Sequence, residues 1–256
     1  MNGGELFTFE VQYQSIMRFI AILWLVLFAL PATAIAHASS TTVQQGGSIQ
    51  AAITTAHAGD TILVAGGKYY EHLQVTKAVN LIGQGMPVLD ATASGSAITL
   101  MADGIRVQGF KIVNAGSWPA ETKDEGAIKV LSNNNIISGN DISNNFCGIL
   151  VLGGMNNSVR ENILAGNLQY GIRFSGARNN TICNNRLEEN RQNAFDDAEK
   201  GWNLWDMNYY SDFDVPGEGC SDDGTGICLA SYGVPGGVSV DRRPWCLTML
   251  DEERQP

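Results

Sequence analysis

The chain has 256 residues, of which 16 are lysine or arginine and 26 are aspartate or glutamate, so that its formal net charge is -10. This acidic balance, without a basic run, argues against a nucleic-acid partner. A hydrophobic fraction of 44% suffices for one extended domain with a continuous core, and 29 glycines against 7 prolines are typical of a fold rich in turns.

A secretory signal peptide is predicted over residues 1–38. One positive charge precedes an apolar run over residues 19–30, and Ala-His-Ala at residues 36–38 is a small-residue cleavage site. The run is short for a membrane span, so we expect cleavage after Ala38, with an uncleaved anchor as the alternative. Acidic residues before the run are unusual for a signal, which makes Met17 the expected start. After signal removal we expect no membrane span and a location in the periplasm or at the cell surface.

An N-terminal cap is predicted over residues 39–58, and it contains the one clear helix of the sequence, Ser48 to His57. Ser48 is suited to the N-cap, and Gly59 is suited to end the helix. The apolar face of this helix consists of Ile49, Ala52, Ile53 and Ala56. Stacked repeats leave an apolar, unpaired end, and we expect the helix to cover it.

Three consecutive stretches, 135–152, 157–174 and 180–197, align with one another at a period of roughly 22 to 23 residues. The aligned columns are Asn140, Asn162 and Asn185; Asn145, Asn167 and Asn190; and the apolar Ile142, Leu164 and Leu187. Short apolar alternation with Asn and Gly between predicts strands joined by tight turns. The sequence therefore predicts an all-β fold, a parallel β-solenoid whose repeats occupy residues 59–200.

The asparagine columns are interpreted as structural. Asparagine tolerates the left-handed backbone angles of tight bends, and its side-chain amide can bond the equivalent amide one coil away. We therefore expect these columns to hold the bends together rather than to bind a ligand.

Two segments depart from the period. Residues 115–125 form an insertion that should project as a loop beside one face of the solenoid, and residues 201–256 form a closing segment rich in aromatic residues, Asp and Gly. Its aromatic residues are expected to pack over the last coil: Trp202, Trp205, Tyr209, Tyr210 and Phe213.

A ligand-binding groove is the sharper of two interpretations for the strand that closes each repeat. Outward positions on successive coils are Lys129, Leu150, Arg173 and Asp196. A strand spacing of about 4.8 Å would place Arg173 beside Asp196. The plain interpretation is a solvated face with an Arg–Asp pair; the alternative is a shallow groove for sugar hydroxyls or carboxylates. The residues assigned to that groove, including those of the insertion, are Lys129, Arg173, Asp196, Trp118, Asp124 and Glu125.

The closing segment contains a candidate Ca²⁺ loop. Its aspartates lie among glycines, as in many calcium loops, but their spacing does not match an EF-hand. These residues are Asp212, Asp214, Asp222 and Asp223.

Five cysteines follow the signal, in an exported chain where disulfides persist. Cys220 and Cys228 flank a short loop and are the predicted disulfide, and Cys246 is close enough in sequence to replace one of them. The odd count leaves at least one thiol, and no C-x-x-C motif supports a zinc knuckle or a thioredoxin-type pair.

Both ends of the mature chain carry motifs of one family. The early motifs are Ser48-Ile-Gln-Ala-Ala-Ile53, Ala58-Gly-Asp-Thr-Ile-Leu-Val64 and Gly67-Lys-Tyr-Tyr-Glu71, and the late ones are Asn193-Ala-Phe-Asp-Asp197, Asn208-Tyr-Tyr-Ser-Asp-Phe213 and Tyr232-Gly-Val-Pro-Gly-Gly237. Over about residues 45–246 the chain resembles NosD-type proteins with the CASH domain. The resemblance implies an exported right-handed parallel β-helix of the pectin-lyase-like fold. It also implies an accessory role in copper-centre assembly of nitrous-oxide reductase, with an ABC transporter as partner, or carbohydrate binding, as in other members.

A direct copper site is not predicted. Copper needs soft or imidazole ligands, and those of the mature chain are not paired at ligand spacing. They are His57, His72, Met86, Met101, Met155, Met207 and Met249. An accessory role through protein contacts would leave no such signature.

The leading functional hypothesis is an exported, non-catalytic binding or accessory protein with carbohydrate as its ligand. A polysaccharide lyase or glycoside hydrolase of the pectin-lyase fold is the first alternative, although paired acids suited to inverting hydrolysis are not evident in the outward column. A structural envelope protein is the second. Ca²⁺ is the one cation that the composition suggests.

Overall fold

The structure, a computed structural model, describes residues 38–117, 124–199, 202–213, 219–221 and 224–246. Within these ranges the chain forms one short helix, α1, at Ile49–Thr55, and 23 short strands. In chain order the strands are β1 Ser40–Val43, β2 Thr61–Ala65, β3 Lys68–Tyr69, β4 Leu73–Val75, β5 Asn80–Gln84, β6 Val88–Asp90, β7 Ile98–Leu100, β8 Arg106–Gln108, β9 Lys111–Val113, β10 Ile128–Val130, β11 Ile136–Ser138, β12 Asp141–Ser143, β13 Cys147–Leu152, β14 Ser158–Arg160, β15 Ile163–Ala165, β16 Tyr170–Ser175, β17 Thr181–Cys183, β18 Arg186–Glu188, β19 Gln192–Asp196, β20 Leu204–Asp206, β21 Tyr209–Tyr210, β22 Tyr232–Gly233 and β23 Val240–Asp241.

The predicted signal peptide lies outside the described residues, apart from Ala38. Across the described ranges, no helix has the length and hydrophobicity needed to cross a membrane.

The strands form three sheets in which each strand pairs in parallel with its equivalent one coil later, apart from an antiparallel pair of β22 with β23. Sheet A has the order β1-β2-β5-β8-β11-β14-β17-β20-β23-β22, sheet B the order β3-β6-β9-β12-β15-β18-β21, and sheet C the order β4-β7-β10-β13-β16-β19. The predicted parallel β-solenoid is confirmed, with about seven turns. Its right-handed sense stays a prediction.

Apolar side chains stack in register through the interior of the solenoid. In sheet B, Ile142 pairs with Leu164 and Leu164 with Leu187, and all three are fully buried. The predicted apolar column is therefore confirmed. Because every coil adds an inward residue to such columns, one core runs along the solenoid.

Helix α1 begins where the sequence predicts and ends before His57. The Ser48 hydroxyl accepts a backbone N–H of the first turn at 3.1 Å, and the Glu71 carboxylate accepts the N–H of Ile49 at 2.8 Å. Ile49 and Ile53 are buried in the core, and the helix lies against β1, β2 and β4. Its function as a cap stays a prediction.

Asparagines stack in three ladders at the bends. Ladder 1 is Asn135, Asn157, Asn180 and Asn203; ladder 2 is Asn140, Asn162, Asn185 and Asn208; ladder 3 is Asn145, Asn167 and Asn190. In each step one side-chain oxygen accepts two N–H groups from the previous coil. The Oδ1 of Asn162 accepts from the backbone N of Asn140 at 3.1 Å and from its Nδ2 at 3.0 Å. The Nδ2 of Asn162 also donates to the carbonyl of Ile137 at 3.0 Å.

The left-handed backbone angles fall one residue before the ladder asparagines, not on them. Asn134, Asn156 and Asn179 precede three members of ladder 1 and have φ of 58°, 55° and 57°. The expectation that the ladder residues adopt these angles is therefore wrong. The preceding residue makes the turn, which leaves the ladder asparagine with its amide pointing inward, where it meets the next coil.

Ladders 1 and 2 end on buried aspartates. The Nδ2 of Asn203 donates to the carboxylate of Asp196 at 3.0 and 3.1 Å, and the Nδ2 of Asn208 donates to Asp241 at 3.0 Å. The side-chain amide of each ladder asparagine donates to the asparagine of the next coil. At the end of the ladder no further asparagine follows, so the last amide needs a different acceptor. An ionised carboxylate only accepts hydrogen bonds, and it satisfies this last donor.

Ladder 3 ends on a carboxylate through one intermediate residue. The Nδ2 of Asn190 donates to the Oδ1 of Asn193 at 3.0 Å, and the Nδ2 of Asn193 donates to Asp212 at 2.7 Å. All three ladders therefore share one termination, an acidic group at their C-terminal end.

Strand pairing continues beyond residue 200, where the sequence predicts that the repeats stop. Strands β20 and β21 pair with β17 and β18. Trp205 and Tyr210 are inward residues of this coil and are each 1% exposed. Tyr232 stacks on Tyr210 with ring centroids 3.7 Å apart. Aromatic residues of the closing segment thus form part of the last coil.

We predict that Asn162→Ala lowers the free energy of unfolding by about 2–4 kcal/mol, since it leaves the buried N–H of Asn140 without its acceptor and opens a cavity. The measurement is the shift of the urea denaturation midpoint. Asn80→Ala is the matched control, because its half-buried amide makes one bond of 3.3 Å outside the ladders, and its expected cost is below about 1 kcal/mol. Equal shifts for the two variants would contradict a special role for the ladders.

Candidate functional site

Sheet C presents one outward column of side chains along the solenoid. In register, this column is Gln74, Thr99, Lys129, Leu150, Arg173 and Phe195. The first three are polar and reach solvent, whereas Leu150 is buried at 1% exposure. The outward column is therefore polar at its N-terminal end, whereas further along Arg173 lies between the apolar Leu150 and Phe195.

The polar end of this column forms the floor of an open cleft of about 540 Å³, which we name the sheet C cleft. Its lining consists of His72, Leu73, Gln74, Gly95, Ser96, Thr99, Asp124, Glu125 and Lys129. The structure thus brings together three of the predicted groove residues, Lys129, Asp124 and Glu125.

Hydrogen bonds fix one wall of the sheet C cleft. The Nδ1 of His72 lies 2.9 Å from the carbonyl oxygen of Ser96, and because a carbonyl only accepts, Nδ1 carries the proton of this bond. The Nε2 of His72 lies 3.4 Å from the hydroxyl of Ser94. The Ser96 hydroxyl accepts the backbone N–H of Gly126 at 3.2 Å. The imidazole is thereby held against Ser94 and Ser96, in the segment that precedes β7 and Thr99.

Hydrogen bonds of Glu125 connect the two ends of the insertion. Its Oε2 accepts the backbone N–H of Ser117 at 3.2 Å and the Ser117 hydroxyl at 3.4 Å. Ser117 and Glu125 therefore meet across the intervening segment, although residues 118–123 lie outside the described ranges, and the predicted roof residue Trp118 lies outside with them. Asp124 is exposed beside Glu125.

The sheet C cleft offers both donors and acceptors. The ammonium of Lys129 and the amide of Gln74 donate, the carboxylates of Asp124 and Glu125 accept, and the hydroxyl of Thr99 does both. The floor is rigid, because β4, β7 and β10 are paired to one another along the sheet. Such a surface suits a hydroxyl-rich ligand.

Arg173 does not reach the sheet C cleft. Leu150, which packs with Phe146 in a small apolar cluster, lies between Arg173 and Lys129 in the column. The guanidinium carbon of Arg173 lies 5.5 Å from the ring centre of Tyr170 and 5.9 Å from that of Phe195, within cation–π range. The predicted groove is therefore divided in two.

The predicted pair of Arg173 and Asp196 is wrong. Arg173 lies opposite Phe195, and Asp196 lies opposite Phe174. In the alignment of the three stretches, Ala194 corresponds to Gly171, whereas in the structure Ala194 pairs with Ile172. The step along the chain from β16 to β19 is therefore one residue shorter than the step from β13 to β16. A slip of one residue turns every side chain of a strand to the other face, so Asp196 points inward.

Asp196 is a structural acceptor rather than a ligand-binding residue. It is fully buried, and besides ending ladder 1 it accepts from Trp205 Nε1 at 2.9 Å, from Ser239 Oγ at 2.7 Å and from the N–H of Ala198 at 3.1 Å. These partners all donate, so the carboxylate holds the last coil and the segment around Ser239 together.

Asp212, one of the four predicted calcium ligands, is also a structural acceptor. Besides ending ladder 3, its carboxylate lies 3.2 Å from the Tyr232 hydroxyl. Asp214, Asp222 and Asp223 lie outside the described residues. Calcium binding by this segment stays a prediction.

Cys220 and Cys228, the predicted pair, are joined in a disulfide. The Sγ of Cys246 lies 3.8 Å from that of Cys228, and the three sulfur atoms lie within 4.8 Å of one another. Sequence reasoning treated Cys246 as a substitute for one partner, not as a third sulfur beside both.

A second open cleft, of about 550 Å³, lies near the end of the solenoid, and we name it the Trp202 cleft. Its lining includes Arg178, Asp197, Glu199 and Trp202, and the guanidinium carbon of Arg178 lies 5.7 Å from the Trp202 ring centre. Trp202 is 47% exposed. The sequence predicts that Trp202 packs over the last coil, so its place in a cleft is a new finding.

Sequence reasoning missed His72, Gln74 and Thr99 as site residues. Gln74 and Thr99 each lie between two buried apolar neighbours, as Lys129 does, and this alternation was the available signal. The steps along the chain from Gln74 to Thr99 and from Thr99 to Lys129 are unequal, and both are longer than the steps of the three aligned stretches. Such irregular steps hide the early coils from an alignment that assumes a fixed period.

We predict that Asp196→Asn lowers the free energy of unfolding by about 2–4 kcal/mol, because the new amide NH₂ would face buried donors. The variant should bind ligand like the wild type at a temperature where it is folded. Urea denaturation and ligand titration measure the two effects. If the variant kept the stability of the wild type but bound ligand more weakly, Asp196 would be a ligand-binding residue and its structural assignment would be wrong.

Residues 67–215, more than half of the chain, match a known protein family, described as periplasmic copper-binding protein (NosD). No curated protein matches the chain significantly. The family match covers the coils that build the sheet C cleft and all residues of the asparagine ladders, together with Asp196 and Asp212, whereas Asp241 at the end of ladder 2 lies outside it. The match covers more than half of the chain and falls on the parallel β-solenoid of the structure. The chain therefore belongs to the NosD family.

Proposed function

We propose that the chain is an exported, non-catalytic binding protein of the NosD family that holds a neutral oligosaccharide in the sheet C cleft. The observation that carries the proposal is the convergence of His72, Gln74, Thr99 and Lys129 with the carboxylates of the insertion in one open cleft. Sugars present many hydroxyl groups, each both donor and acceptor, and the cleft lining supplies partners of both kinds.

The rigid floor supports this function. The outward residues stand on strands whose neighbours are buried and whose backbones are paired, so few groups need to be ordered when a ligand binds. A site that is already ordered loses less conformational entropy on binding, which favours affinity for a flexible sugar chain.

The charge of the cleft favours a neutral ligand over a uronate. Among the described residues that line the cleft, two carboxylates, Asp124 and Glu125, face one ammonium group, Lys129, and the whole chain has a net charge of -10. An acidic polysaccharide would meet repulsion on approach. The same balance argues against a lyase acting on uronides, the first alternative function.

Export is supported from two directions. The sequence begins with the features of a signal peptide, and the family is described as periplasmic. Cleavage after Ala38 would release a mature chain that begins just before β1.

We predict that Lys129→Ala weakens oligosaccharide binding at least tenfold, because it removes the one ammonium group among the described residues of the cleft. Neutral and uronate oligosaccharides are first compared on a glycan array, and the affinity for a neutral hit is then measured by calorimetry. Lys111→Ala is the matched control, since Lys111 lies on sheet B and pairs with Asp141 at 2.8 Å. Its affinity should equal that of the wild type.

The Trp202 cleft provides the competing location. If Trp202→Ala abolishes binding while Lys129→Ala does not, the sugar lies in the Trp202 cleft and the assignment to sheet C is wrong. An array without any hit would contradict carbohydrate binding altogether.

We predict no catalysis on acidic polysaccharides. Incubation with polygalacturonate or alginate should produce no unsaturated uronide, measured by its ultraviolet absorbance and by mass spectrometry. Unsaturated product from the wild type that disappears in Lys129→Ala would establish the lyase alternative instead.

A further inference from the structure

Three cysteine sulfurs meet in the closing segment, away from the sheet C cleft. The sulfurs of Cys220, Cys228 and Cys246 lie within 4.8 Å of one another. Cys228 and Cys246 are 4% and 5% exposed, whereas Cys220 is half-buried and gives solvent access to the group. The three cysteines are close in sequence, but their spacing matches no metal motif, so the sequence did not show that all three sulfurs meet.

Backbone hydrogen bonds, in addition to the disulfide, position the three cysteines. The N–H of Cys228 donates to the carbonyl of Pro244 at 2.8 Å, and that of Cys246 donates to Gly226 at 3.0 Å, so these two cysteines lie on paired antiparallel segments. The N–H of Cys220 donates to the carbonyl of Phe213 at 3.1 Å.

The paired segments are anchored to the solenoid. Trp245 bridges to Tyr209 in the last strand of sheet B, and their ring centroids lie 5.0 Å apart. On the other side, the N–H of Leu229 donates to the carbonyl of Ser221 at 2.9 Å. These backbone contacts do not depend on the S–S bond, and on this ground we expect the three sulfurs to stay near one another when the disulfide is reduced.

The donor set fits a soft, monovalent metal. Thiolates bind Cu(I), Zn²⁺ and iron–sulfur clusters, and of these a structural zinc site and a cluster each need four ligands, so that a set of three sulfurs favours Cu(I). Among the described residues, no His, Asp or Glu joins the three sulfurs. Metal–sulfur bonds of about 2.3 Å keep two ligands of one ion within about 4.6 Å of each other, and the 3.8 Å between Cys228 and Cys246 satisfies this limit.

We propose that Cys220, Cys228 and Cys246 form a Cu(I) site that opens when the Cys220–Cys228 disulfide is reduced. A dithiol reductant transfers two electrons and two protons to the disulfide, which becomes two thiols, while the reductant becomes a disulfide. Cu(I) then binds the three sulfurs, and each thiol that becomes a thiolate releases its proton. Copper changes no oxidation state in these steps.

The site explains how a chain of a family described as copper-binding could hold copper without paired histidines or methionines. In the oxidised chain, two of the three sulfurs are bonded to each other and are poor ligands. Reduction of the disulfide would thus control copper uptake.

The test is a Cu(I) titration of the full mature chain against a chromophoric Cu(I) chelator, without oxygen, before and after treatment with dithiothreitol and its removal. We expect one Cu(I) per reduced chain, a sulfur-to-copper absorption band, and at least 100-fold weaker binding by the oxidised chain. Cys246→Ser keeps the disulfide and should lose at least 100-fold in affinity after reduction.

Cys183→Ser is the matched control, since this thiol lies in sheet A outside the cluster and burial raises its pKa. It should bind Cu(I) like the wild type. Cys220→Ser, at a half-buried position, should reproduce the loss and serves if Cys246→Ser does not fold, as judged by circular dichroism. Unchanged affinity in these cluster variants, equal affinity of the oxidised chain, or loss in Cys183→Ser would overturn the proposal.

Discussion

Buried amide hydrogen bonds between stacked asparagines are the constraint on which this solenoid depends. A β-solenoid must turn its backbone sharply at every bend, and each turn leaves buried N–H groups that the strands cannot satisfy. The side-chain oxygen of the asparagine in the next coil accepts these N–H groups. The side-chain amide of that asparagine donates in turn to the asparagine one coil further on. Because donors point in one direction along each ladder, the last amide needs an acceptor-only partner, and Asp196, Asp241 and, through Asn193, Asp212 supply it.

This constraint explains why two acidic residues that look functional in the sequence are structural. Asp196 and Asp212 resemble ligand-binding residues when they are considered only by composition and position. Asp196 is buried among donors that belong to the fold, including Trp205, whereas Asp212 is exposed and accepts from Asn193 and Tyr232. A carboxylate occupied by buried donors of its own fold is poorly placed to bind a ligand, so functional sites have to be found among groups that the ladders do not use.

The two proposed sites use different parts of the architecture. The sheet C cleft stands on paired strands whose outward side chains are exposed, with one wall formed by the base of the insertion at Ser117 and Glu125. The sulfur cluster lies where irregular segments return to the last coil and are held by backbone hydrogen bonds. Paired strands position the broad polar surface to which we assign sugar binding, whereas converging loops bring three cysteine sulfurs within 4.8 Å of one another.

The sequence by itself determined the solenoid and its apolar column, because asparagine and apolar residues recur at a regular spacing that predicts the stacking. It also favoured Cys220–Cys228 as the disulfide, because the two cysteines flank a short loop, and the structure confirms this pair. It also placed Lys129 correctly on an outward face, since that residue lies between Ile128 and Val130. Only the tertiary structure decided the register of the last coil, the meeting of Gln74 and Thr99 with Lys129, and the approach of Cys246 to Cys228. One physical reason is that a register shift of one residue turns the side chains of a strand to the opposite face. The other is that contacts between coils of unequal length depend on how the intervening chain folds, which local sequence patterns do not encode.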